Sequence, residues 1–130
     1  MSMDAAPASG TAAATRPTAI PRRLVAPLLF DRDAEGHPMD DPAVRRFWVA
    51  VIGPGAVADL LRLTAAAHVG RRIREPLSLP TLASEGLIER SGDIVLVRPR
   101  IPHLGRRQLG RLRPSLRAEY RRLVATPRPA

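Results

Sequence analysis

Arginine is the residue type whose number and spacing point to a chemistry. All 21 basic residues of the 130 are arginine, with no lysine and no cysteine. A guanidinium stays charged at physiological pH and meets a phosphate or carboxylate with paired N–H donors. The distribution is uneven: Met1 to Val97 holds 11 Arg against 11 Asp and Glu, whereas Arg98 to Ala130 holds 10 Arg against the single Glu119. The net charge of +9 therefore sits in the last quarter of the chain. Such asymmetry predicts an anionic partner, most often nucleic acid.

Other chemistries find little support. His37, His68 and His103 are far apart and stand in no metal-ligand spacing, so each is expected at the surface or as a cap, and no metal is expected. Asp31, Asp33 and Glu35 alternate as paired carboxylates on a strand would, though a loop of solvated acids explains them more simply. Ser78, Ser84, Ser91 and Ser115 lack a nucleophile-elbow context. Gly53-Pro54-Gly55 is no phosphate loop, since no lysine exists to complete one. The expectation is a protein that is not an enzyme and has no cofactor. Without cysteine, a secretory signal pattern or an apolar run of membrane-spanning length, a cytoplasmic location is expected.

The elements that must position the arginines follow from punctuation and period. Residues 1–20, rich in Ala, Pro, Ser and Thr, predict a disordered tail. From Arg22, RRLVAPLLFDRD predicts an extended segment, with Pro27 favouring an edge strand, and Ala34-Glu35-Gly36 a turn. Asp41-Pro42 starts a helix whose apolar face is Val44, Phe47, Trp48, Val51 and Ile52, with Arg45 and Arg46 opposite. A second helix runs from about Ala56 through Ala67 on a stripe of Val57, Leu60, Leu61 and Thr64, and Gly70 closes it. Glu85-Gly86 has the form of a helix C-terminus. Two apolar runs, Leu87 to Arg90 and Ile94 to Val97, flank the turn Ser91-Gly92-Asp93 as a β-hairpin.

The sequence Leu82 through Gly86-Leu87-Ile88-Glu89-Arg90 resembles the recognition-helix end and wing of winged helix-turn-helix DNA-binding regulators. Thr64 to Gly70 is similar to the first helix and turn of that motif, and the resemblance covers residues 43–100. It implies that Arg71 to Ser84 approaches the major groove of duplex DNA. Arg71, Arg72 and Arg74 would then contact phosphate, Thr81 and Ser84 base or phosphate, and Arg90 and Arg98 the adjoining backbone. Pro76 and Pro80 depart from the pattern, because an interior proline costs a helix about 3 kcal/mol. Either the recognition helix starts near Pro80, or the motif has been remodelled.

Beyond the hairpin, Leu109, Leu112, Leu116, Tyr120 and Leu123 recur at helical spacing among arginines, with Pro114 demanding a kink or two pieces. The stripe packs either on its own domain or against a second copy in a homodimer. Arg106, Arg107, Arg111 and Arg113 would add phosphate contacts. The expected fold is mainly α with a small β-hairpin (α+β), in three parts: the tail 1–20, a winged-helix-like domain 21–101 and an Arg-rich helical extension 102–126. Duplex DNA is the first expected partner. RNA or an acidic protein surface, reached by a non-enzymatic interaction module, is the alternative, and membrane binding ranks third because Tyr120 is the only bulky aromatic on the apolar side.

Overall fold

The computed structural model describes residues 23–31 and 35–125, so the expected tail 1–20, Asp33 and the start of the Ala34 turn lie outside the described residues. Strand β1 (Leu24–Leu29) comes first, followed by the short β2 (His37–Pro38). At the next turn the Asp41 carboxylate accepts the Ala43 N–H at 2.9 Å, the expected N-cap. The chain then winds as a π-helix over Val44–Trp48, a wide turn in which Val44, Phe47 and Trp48 are all buried. Helix α1 (Val49–Ile52) completes the segment. Gly53, at φ 92, reverses the chain, and Pro54 opens α2 (Pro54–Val69), the longest helix.

Two helices end alike. At the end of α2, Gly70 is left-handed, the Arg71 N–H reaches the Ala66 carbonyl and the Gly70 N–H reaches that of Ala67. Strand β3 (Ile73–Arg74) leads to α3 (Leu79–Ser84), which ends on Gly86 at φ 76 with Leu87 N–H bonded to Leu82 O. Both are Schellman closures, and at the second the flanking apolar pair Leu82 and Leu87 is buried. Strands β4 (Ile88–Ser91) and β5 (Ile94–Val97) form the expected hairpin. Its loop is two residues rather than three, because Ser91 pairs with Ile94 and Gly92 takes φ 61.

The fold is mixed helix and strand, as expected, but the hairpin does not stand alone. It is half of a four-stranded sheet in the order β3-β1-β5-β4, with β1 parallel to β5, and a second small sheet joins β2 to β6 (Arg100–Ile101). The molecule is a mixed α/β fold, with α2 packed on one sheet face. Strand β1 is interior, against the edge position Pro27 suggested. Proline is tolerated because β3 pairs only with Leu24 and Val25, while Ala26 and Phe30 donate towards β5, so the position of Pro27 points to a side already free of a partner.

The segment after residue 101 shares the core instead of extending from it. Trp48 Nε1 donates to Pro102 O at 3.0 Å, and Leu104, Leu112 and Tyr120 are buried with Val25, Phe47, Leu60 and Val97. Helices α4 (Arg106–Leu109) and α5 (Pro114–Ala125) are the two pieces that Pro114 required. Leu109, Leu116 and Leu123 pack against the same core. Of the two expectations for the stripe, packing on its own domain is the one its contacts match: Leu112 and Tyr120 are at most 2% exposed, and Leu109, Leu116 and Leu123 are partly buried against the same core.

Candidate nucleic-acid interface

The sequence-predicted residues fall into two groups at opposite ends of the hairpin. At its tip, Arg71 and Arg72 leave α2 and Arg74 lies on β3, all exposed and without an ion pair among the described residues. Arg90 belongs to this end, but it is engaged: its guanidinium donates to Glu75 Oε1 at 2.8 Å and to Gly92 O at 2.9 Å. Glu75, through its hydrogen bond and charge, raises the Arg90 pKa further. Arg23 approaches Asp93 at 3.9 Å, so carboxylates hold the hairpin tip on both sides.

At the base, Arg98 lies over the Phe30 ring at 5.5 Å and reaches Gly86 O at 3.4 Å, while its Nε is buried without a hydrogen-bond partner among the described residues. Arg98 therefore does not share the end occupied by Arg71, Arg72 and Arg74.

Between the ends, α3 is six residues long and carries no arginine. Pro80 sits within its first turn, where its missing N–H costs nothing, so the helix begins after Pro76 as the proline spacing requires. Asp59 on α2 holds the approach by accepting the Ser78 N–H at 3.1 Å. Thr81 and Ser84 are exposed, and the Ser84 hydroxyl donates to Thr81 O at 2.9 Å.

Glu85, which the sequence did not single out, organises the neighbourhood. Both its carboxylate oxygens accept from Arg111 at 2.7 Å, and Gln108 donates to it at 3.0 Å. These contacts with Arg111 and then Gln108 hold the Glu85 pKa below the usual carboxylate value, against a smaller opposing effect of burial. Gln108 also accepts the Gly105 N–H at 2.8 Å, closing the first turn of α4. Arg117 donates to Leu109 O, at the end of α4, and to Leu112 O in the connection that follows. As a result Ser84, Glu85, Arg107 and Arg111 line one open surface pocket of about 400 Å³. Arg106, Arg107 and Arg113 are exposed beside it without an ion pair among the described residues.

A third cluster was not foreseen. His37, expected at the surface, is 4% exposed. Its Nε2 shares a 2.8 Å hydrogen bond with the Tyr120 hydroxyl, its Nδ1 lies 3.8 Å from Asp41, and the His103 ring sits 4.7 Å away. Tyr120 also accepts the Leu104 N–H at 2.9 Å, and burial raises its pKa. His68 and His103 are exposed, as expected, and no set of three metal-ligating side chains is found among the described residues. The cluster is closed to solvent at His37 and ties α5 to β2. No helix among the described residues is long and apolar enough to cross a membrane.

Comparison with protein-family models, with characterised proteins and with solved structures found no match for this chain.

Proposed function

We propose that this chain binds nucleic acid, duplex DNA first, by grasping the phosphate backbone, as a regulator or accessory factor without enzymatic activity. One observation carries the reading: Glu85 holds Arg111 beside Ser84 at the exposed end of α3, where Arg107, without an ion pair among the described residues, lines the same pocket. The helix that precedes the hairpin and the arginine-rich C-terminal segment thereby form one surface, with Arg106 and Arg113 adjoining it. Arg71, Arg72 and Arg74 form a second basic site at the other end of the hairpin. Arg90 is taken up by Glu75, so its role there is to hold the tip rather than to meet phosphate.

A second reading is an interaction module that docks on structured RNA or an acidic protein surface. The length of α3 favours it: six residues span only about 9 Å, little helix to lay in a major groove. The two readings part in a salt titration of binding to a random DNA duplex, with structured RNA as competitor. Each phosphate contact contributes about 0.9 to the slope of log affinity against log salt. Replacing Arg106, Arg107 and Arg113 with Ala should lower the slope by roughly 2 to 3 if all three meet phosphate. A slope near zero for the unmodified chain would sink nucleic-acid binding, and complete displacement by RNA would move the reading to the docking module.

A further inference from the structure

Pro76 and Pro80, which break the recognition-helix pattern, leave between them one side chain without a role in the fold. From β3 to α3 the chain reads Glu75-Pro76-Leu77-Ser78, and Leu77 is 77% exposed, the most open of the large apolar residues described. One exposed leucine is ordinary on a protein surface. This one sits on a loop fixed from both sides. Pro76 and Leu79 are buried, the Glu75 N–H donates to Arg23 O at 2.7 Å, and the Ser78 N–H donates to the Asp59 carboxylate at 3.1 Å. The backbone that presents Leu77 is held in place, so contact with a partner costs little further ordering.

The charge around the loop selects the partner. Arg74 precedes Leu77 by three residues, so the chain places it within about 11 Å. Arg71, Arg72 and Arg74 are exposed and carry no ion pair among the described residues, whereas the carboxylates beside the loop are engaged, Glu75 with Arg90 at 2.8 Å and Asp59 with Arg62 at 3.4 Å. A fixed apolar wedge followed by uncompensated arginines matches a narrow anionic groove with stacked bases at its floor. One leucine buries far less apolar surface than stable attachment to a membrane needs. Helix α3, six residues long and without arginine, gives entry to the major groove little support. We propose, resting on the nucleic-acid reading above, that Leu77 inserts between base pairs from the minor groove of duplex DNA and bends it, while Arg71, Arg72 and Arg74 hold the flanking phosphates. The apolar gain from one leucine and the cost of unstacking one step are of similar size, so insertion selects the pyrimidine–purine steps that unstack most easily, TA and CA.

The test uses the full chain and two end-labelled duplexes, one with a central TA step and one whose middle holds no pyrimidine–purine step. Energy transfer between the labels reads bending, and a salt titration reads phosphate contacts. The expected result is a bend of about 20° to 90° in the TA duplex, which binds about tenfold tighter than the other. Leu77→Ala removes the bend and the preference but keeps the salt slope, and Leu77→Phe keeps all of them. Replacing Arg72 and Arg74 with Ala lowers the slope by about 2. Thermal melting checks that each variant is folded. Salt-dependent binding to unbent DNA, or a bend that Leu77→Ala leaves intact, overturns the insertion and leaves phosphate binding standing. No binding to either duplex overturns both. Binding to phosphatidylserine vesicles that Leu77→Ala abolishes, with duplex binding indifferent to that change, overturns the insertion too, by assigning the loop to a lipid surface.

Discussion

Helix α5 and the outer face of the sheet exchange the roles that their residue types suggest. Arginine-rich α5 is charged over most of its surface, yet Tyr120 is 1% exposed among Phe47 and His37, and Glu119 holds Arg46 through two hydrogen bonds. Strands β1 and β5 are apolar at every position, yet every second residue points away from the core. The difference lies in period. A helix needs only one residue in three or four to reach the core, and the rest of its surface is free to carry charge. A strand offers two faces, and one helical layer covers only one of them.

The comparison breaks first at Tyr120. Tyr120→Ala removes an aromatic ring and two hydrogen bonds from a closed site, and the expected loss is about 3 to 5 kcal/mol in urea unfolding. Tyr120→Phe keeps the ring but leaves the Leu104 N–H and the His37 imidazole without that partner, costing about 1 to 3 kcal/mol. If α5 were an independent extension, neither change would move the unfolding midpoint of the rest. Alkaline pH gives the same contrast. Burial favours the neutral phenol in the folded state and raises its pKa. Its contribution is then complete below the unfolded value of about 10 and is lost as pH rises through the folded one. Tyr120→Phe should flatten that decline.

Much of the fold was legible where a local rule decides it. Asp41-Pro42, Gly70, Gly86 and the break at Pro114 each act within a turn, so their residue types name the structure they cause. The sheet was not legible, because β1 reaches β5 across some 65 residues and a parallel pairing leaves no turn signal between its strands. For the same reason Glu85 passed unnoticed beside a glycine that explained its position. Its partner Arg111 is 26 residues away. His37 read as a surface histidine because nothing near it shows that Tyr120, 83 residues on, will cover it. The arginine excess was plain in the chain, but which arginines stay free depended on contacts of this length.

Glu85→Gln sharpens the comparison at the seam between α3 and α4. The carboxylate pair is partly exposed at Arg111, so the expected cost is modest, up to about 1 kcal/mol. Since the folded pKa lies below the ordinary value, the contribution is present above an unfolded value of about 4.3 and fades as pH falls through the folded one. The variant should therefore match the parent protein in acid and fall behind it at neutral pH. An unchanged pH profile would mean that α4 is held by Leu112 and Arg117 alone.

The smallest expected change is also the sharpest statement about period. Leu24 and Val25 are consecutive, both apolar and both in β1, yet one is half exposed and the other not at all. Leu24→Thr should alter stability by no more than about 0.5 kcal/mol, because the side chain leaves water little in the folded monomer. Val25→Thr, nearly equal in volume, buries a hydroxyl between α2 and the sheet and should cost clearly more. Equal losses at the two positions would mean that something covers the outer face. Unequal losses would show that the inward face of β1, and not its apolar character as a whole, holds the chain together.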